Sequence, residues 1–225
     1  MKTDRELIFR YLKMDPEADP ETAERVGTVC EAMERALSPG YVFRLFSLSR
    51  DAGPGHTEAF RLGTEDAFLS GKSASCLLTD CHSVAVLVAT LGFGFDKMLL
   101  AAQKRDMTEA LILDACGSAY IETVADDAEE EIKILSGGYL TDRFSPGYGD
   151  MPLSLQPVLI RLSDAEKRLG VHALDSFLLD PVKTVTAVIG ISDTPRPSII
   201  RGCANCSMNK TCLYKKGDGS CEARK

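Results

Sequence analysis

Apolar residues fall at helical spacing in some stretches of this chain and in short or unbroken runs in others, and that pattern predicts most of its elements. Leu7, Ile8, Tyr11 and Leu12 fall on one helical face, preceded by a Thr3/Glu6 pair with the spacing of a capping box. Asp19-Pro20 predicts the start of a second helix, whose Val26, Cys30, Met33 and Leu37 keep helical spacing until Ser38-Pro39-Gly40 stops it. Tyr41–Leu48 and Thr57–Leu62 are short, apolar or aromatic and separated by Asp51-Ala52-Gly53-Pro54-Gly55, the signature of two neighbouring strands. A short helix over Lys72–Asp80 leads to Val84–Ala89, an unbroken apolar run suited to a strand covered on both faces.

Thr90-Leu91-Gly92-Phe93-Gly94-Phe95-Asp96 then opens a further helix. A strand, glycines and a helix also describe a dinucleotide turn, but the third glycine is missing and no parallel-strand unit follows, so packing is the preferred reading. Met107 to about Ile134 reads as one long helix, on which Ala115, Ser118 and Glu122 share a stripe. The acidic run Asp126, Asp127, Glu129, Glu130 and Glu131 reads as its solvated face. After Gly137-Gly138 the helical period ends, and Arg143-Phe144-Ser145-Pro146-Gly147-Tyr148-Gly149 is extended or turning: Pro146 biases Ser145 away from helix and Gly147 permits backbone angles closed to other residues. Helices are expected near Ser154 and at Ser163, where Ser163 and Glu166 have capping-box spacing and Gly170 is the stop, followed by a last strand over Thr184–Ile191. Helices before, between and after strands that lack regular crossovers predict an α+β domain with a mainly antiparallel sheet.

Length and composition change this picture little. With 225 residues and 44% hydrophobic content, one main domain is expected over residues 1–192, with a small Cys-rich tail over 193–225. No apolar run has the roughly 18 residues of a membrane span, and Met1–Arg10 is too charged for a signal peptide, so a soluble cytoplasmic protein with no membrane role is expected. The charge of -7 is uneven: from Thr194 onward seven basic residues face two acidic ones, +5, leaving -12 for the body. So acidic a body is a poor partner for nucleic acid.

The cysteines divide in the same way. Cys30, Cys76, Cys81 and Cys116 sit in apolar-patterned segments and read as small core residues. Cys203, Cys206, Cys212 and Cys221 crowd into the tail, and that clustering points to a metal site, either a structural zinc or an iron-sulfur cluster. His56, His82 and His172 read as structural.

From Arg143 to Tyr148, an arginine, three residues, then Gly-Tyr with Pro146 before the glycine, the sequence resembles the ligand-binding motif of methionine synthase reactivation domains. Leu113-Asp114-Ala115-Cys116-Gly117-Ser118-Ala119-Tyr120-Ile121-Glu122 is similar to that family's long-helix segment, and Gly170-Val171, Ser176-Phe177, Pro181 and Thr184–Ile191 to its closing elements. Thr90-Leu91-Gly92 and Arg10-Tyr11-Leu12 resemble the short stand-alone members found in anaerobic bacteria. Together the similar pieces span roughly Thr3 to Ser192; the stretch from Glu122 to Arg143 is shorter than in the full-length enzymes, and no second acidic ligand can be placed in the N-terminal third.

This resemblance implies a site for S-adenosylmethionine formed by Glu122, Arg143, Ser145, Gly147 and Tyr148. Arg143 would fork the ligand carboxylate, Glu122 would accept from its ammonium or ribose hydroxyls, and Ser145 and Gly147 would offer main-chain groups. The Tyr148 ring would lie where ligand and corrin meet. It further implies reductive methylation of a cobalamin carried by a partner methionine synthase that lacks its own activation domain, since no Asp-x-His-x-x-Gly cobalamin motif is present. The electron would come from a flavodoxin or ferredoxin-type donor, and no side chain of this protein need act as a catalyst. Three other readings compete: an activator of a different corrinoid methyltransferase, a zinc-ribbon binding module, and a nucleotide-dependent oxidoreductase built around Gly92 and Gly94.

Overall fold

The computed structural model describes residues 2–196 except 18, 53–57 and 65. Its centre is the strand β4 (Ser83–Thr90), the apolar run singled out above, which is buried from Val84 to Thr90. β1 (Gly40–Ala52) and β8 (Thr184–Ser192) flank it in antiparallel register, with Phe43 opposite Leu87 and Val188 opposite Val86. β2 (Glu58–Leu62) and β3 (Phe68–Ser70) extend the sheet beyond β1, and β5 (Tyr139–Leu140) lies outside β8, giving the order β3-β2-β1-β4-β8-β5. Every pairing is antiparallel, and a separate hairpin joins β6 (His172–Ala173) to β7 (Leu179–Asp180).

Successive strand residues point to opposite faces, so the two faces of β4 and β8 meet different layers. Ala85, Leu87, Ala89, Ile189 and Ile191 enter one core with α1 (Arg5–Leu12), α2 (Pro20–Ala36), α4 (Phe93–Arg105) and α5 (Met107–Ser136). Val84, Val86 and Val188 enter a second core under α3 (Lys72–Leu78) and α6 (Gln156–Ser163), and Val88 packs with Ala165 of α7 (Ala165–Leu169). A sheet covered on both sides explains why β4 reads as continuous rather than alternating.

Helix ends follow local chemistry with two corrections. Asp19 caps α2 by accepting from Thr22 N at 3.0 Å, Pro20 occupies the first turn, and Gly137 (φ 66°) ends α5. The Thr3/Glu6 capping box does not form: Asp4 caps α1 by accepting from Glu6 N and Leu7 N, while Thr3 turns away to Glu34. The Ser163/Glu166 box does not form either. Ser163 is fully buried as the last residue of α6 and donates its hydroxyl to the Leu159 and Ile160 carbonyls, a bond back into its own helix that the local sequence also permits.

Candidate functional site

α5 runs for 30 residues, and its buried residues from Ala110 to Ile132 pack against α1, α2 and α4 as well as the sheet. At Gly117 a side chain would strike the buried Phe95 ring of α4, so the glycine sets how closely the two helices approach. Ser118 donates to the Asp114 carbonyl and accepts from Lys183, which also pairs with Asp114 at 2.9 Å. That part of the expected stripe is therefore an anchor for the start of β8. Glu122, one turn further on, is directed elsewhere.

The segment after β5 follows the outer edge of β8. Thr141 N donates to the Gly190 carbonyl at 2.9 Å, and Phe144 exchanges both main-chain hydrogen bonds with Val188. Phe144 turns into the second core, so strand alternation sends Arg143 to the opposite side, over α5. There its side chain, 8% exposed, brings the guanidinium to three carboxylates of that helix. Nη2 donates to Glu122 Oε2 and Nη1 to Asp126 Oδ1, both at 2.7 Å, and Nη1 lies 3.4 Å from Glu129 Oε2. Burial would push Arg143 down, but the fields of Glu129, Glu122 and Asp126 outweigh it and hold the guanidinium above its ordinary pKa.

Beyond Arg143 the chain makes a tight turn. Tyr148 N donates to the Ser145 carbonyl, Met151 N to the Tyr148 carbonyl, and Gly147 N to the Met151 carbonyl at 2.9 Å. Gly147 has φ 95°, a left-handed conformation that requires glycine there. Ser145 is half-buried, Gly147 is exposed and the Tyr148 ring is 69% exposed, which excludes a core role for that ring. Asp150 fixes the turn to α3 by accepting from Lys72 N at 2.6 Å and Ser73 N at 2.9 Å. The Ser73 hydroxyl and amide, with the Lys72 amide, hold its carboxyl down at about 2.

Of the five residues expected to bind a ligand, Glu122 and Arg143 are thus in direct contact, and Ser145, Gly147 and Tyr148 continue from Arg143 on one segment. Two further carboxylates of this cluster were not expected. Asp126 and Glu129 belong to the run read as a solvated face, yet both reach Arg143; their spacing of four and seven residues from Glu122 was the available signal, because it repeats one helical face. Glu131 in the same run accepts from Tyr41 at 2.5 Å, which pushes the phenol up to about 12.

A cavity of about 580 Å³ is lined by Pro157, Ile160, Arg161, Asp164, Glu166, Lys167, His172 and Ala173. It contains none of the residues expected to bind a ligand, and His172 Nδ1 lies 3.3 Å from Glu166 Oε1 within it. The Arg143 cluster therefore carries more chemical meaning than this concavity. Cys203, Cys206, Cys212, Cys221 and His56 lie outside the described residues. Among the described residues no group of three or more His, Cys, Asp or Glu is arranged to hold a metal ion, and no helix is long and apolar enough to cross a membrane. Cys30 and Cys116 are core residues as expected, whereas Cys81 is half-buried and Cys76 is exposed.

No protein-family profile and no curated protein matches this sequence. Among solved structures, the fold is similar to the crystal structure of the MetH reactivation domain bound to AdoHcy, with a TM-score of 0.60 over 80% of this chain and 69% of that one, at 14% identity. The mixed helical and antiparallel architecture is therefore that of the MetH reactivation domain fold.

Proposed function

We propose that this protein binds S-adenosylmethionine and supports the reductive methylation of a cobalamin carried by a partner methionine synthase. The observation that carries the proposal is the 2.7 Å contact between Arg143 and Glu122 in a chain whose fold matches a domain crystallised with AdoHcy. The ligand joins a carboxylate to an ammonium and a sulfonium, so it calls for one fixed cation among carboxylates. Arg143 with Glu122, Asp126 and Glu129 supplies that charge pattern.

The arrangement also revises the expected role of Arg143. Two of its donor nitrogens already serve α5, so a ligand carboxylate would share the guanidinium by displacing its most exposed partner, Asp126, at 63%. Three carboxylates around one guanidinium leave the cluster negative, which favours the ligand's cationic groups. The main-chain groups of Ser145 and Gly147 and the exposed ring of Tyr148 would border the ligand on the side open to a partner. When bound, S-adenosylmethionine supplies an activated methyl group, and cobalamin on the partner receives it. The residues here bind, orient and exclude water.

Titration calorimetry with S-adenosylmethionine is the direct test. Wild type is expected to bind, and Arg143→Ala to weaken binding at least tenfold, about 1.5 kcal/mol, as for loss of a charged hydrogen-bond partner. Absence of binding by folded wild type, or unchanged affinity in the variant, would sink the proposal. The partner and the flavodoxin or ferredoxin-type donor belong to the same proposal, as does a zinc or iron-sulfur site at Cys203, Cys206, Cys212 and Cys221. Analysis of iron, sulfide and zinc after anaerobic purification tests the last of these.

A further inference from the structure

The cavity of about 580 Å³ beside α6 and α7 has the volume of a small-molecule site, for which about 300–1,000 Å³ is usual. Pro157, Ile160 and Arg161 share one face of α6, at steps of three and four, and Asp164 stands at the corner before α7. Glu166 and Lys167 of α7 and His172 and Ala173 of β6 complete the wall. Ile160, 4% exposed, gives it an apolar side together with Pro157 and Ala173. The charges on the wall are unequal. Both carboxylates already have partners: Asp164 Oδ2 lies 3.5 Å from Arg44 Nη1, and Glu166 Oε1 lies 3.3 Å from His172 Nδ1. Lys167 has no ion-pair partner among the described residues. Arg44, Arg161 and Lys167 thus stand against two carboxylates, a local positive surplus in an otherwise acidic body. Because Nδ1 of His172 faces Glu166, Nε2 is the ring atom left for a ligand.

We propose that this cavity binds a phosphate monoester with a compact apolar body, the phosphate held by Lys167, Arg161 and His172 and the body resting on Ile160, Pro157 and Ala173. A phosphate monoester carries about −1.5 to −2 charges near neutral pH and three strong acceptor oxygens. It therefore suits donors of different geometry: the ammonium is a point charge, the guanidinium a planar fork and the imidazole a single nitrogen. A carboxylate has a single charge and two oxygens, and would leave part of that donor set unmatched. A nucleic-acid backbone also presents phosphates, but the acidic body repels a polyanion, whereas a small ester meets only the local positive field. The cavity shares no residue with the Arg143 cluster, and S-adenosylmethionine carries no phosphate, so binding here is independent of that ligand.

The test is histidine-ring NMR of the full chain titrated with phenyl phosphate. The His172 signal is expected to move and to saturate with a dissociation constant below about 1 mM, while His82, which faces Asp193, stays still. Lys167→Ala is expected to weaken binding about tenfold and Lys167→Arg to restore most of it. Lys167 is exposed, so both variants should fold as wild type does. Inorganic phosphate should bind at the same place several-fold more weakly, because it has no apolar body to bury. Benzoate, which has the body without the phosphate, should also bind more weakly than phenyl phosphate. A His172 signal unmoved by about 10 mM phenyl phosphate, equal affinity in wild type and Lys167→Ala, or benzoate binding as tightly as phenyl phosphate overturns the proposal.

Discussion

At the scale of single residues, charge placement separates two kinds of carboxylate. Asp150 is surrounded by donors that favour its ionised form, namely the Ser73 hydroxyl and the amides of Ser73 and Lys72. Its folded pKa of about 2 lies below the ordinary aspartate value of about 3.9. A depressed folded pKa contributes stability that is complete above the unfolded value and disappears as pH falls through the folded one. Asp150→Asn is therefore expected to lower the thermal midpoint near neutral pH, with the gap to wild type shrinking between about pH 4 and pH 2. A gap that stays constant across that window would show that the carboxylate charge is irrelevant. Glu122 differs in kind, since its partner is a buried cation rather than a set of helix amides.

At the scale of elements, α5 is the member on which the others are placed. Gly117→Ala would gain up to about 1 kcal/mol in helix propensity, but the added methyl meets Phe95, and overpacking a core typically costs about 1–3 kcal/mol. The clash should win, so denaturant unfolding is expected to show a net loss of roughly 1 kcal/mol. A more stable variant would mean that Phe95 has room to move. Elements with local signals were legible in the sequence: α2 from Asp19-Pro20, β4 from its apolar run, α5 from its period and its glycine stop. β3, β5, β6 and β7 were not, because strands of two or three residues exist only through partners distant in the chain. Both misplaced capping boxes arose where a hydroxyl found another acceptor, Glu34 for Thr3 and the α6 carbonyls for Ser163. The site was legible in the same measure. The motif from Arg143 to Tyr148 pointed to the segment, but which carboxylates Arg143 meets depends on how β8 and α5 are juxtaposed, and no local pattern encodes that.

At the scale of the whole molecule, two layers of unlike character share one sheet. α1, α2, α4 and α5 make a broad helical face, whereas the opposite face is covered by short helices and turns. The segment bearing Arg143 and Tyr148 crosses between them at the β8 edge, with Phe144 in one layer and Arg143 over the other. Placement at that seam leaves the Tyr148 ring in solvent while the Arg143 side chain stays buried.

The position of β4 has a practical corollary. Its amides and carbonyls pair with strands on either side and are roofed above and below, so solvent deuterium can reach the middle of the strand only when the entire domain opens. The Val86–Val88 amides thereby form a built-in gauge of global stability. Anything that binds the native state alone should slow their exchange by the factor one plus its concentration over its dissociation constant, while fast-opening loops stay unchanged. Saturating S-adenosylmethionine is expected to register on this gauge even if it touches no strand residue, and an unmoved gauge would report that nothing had bound.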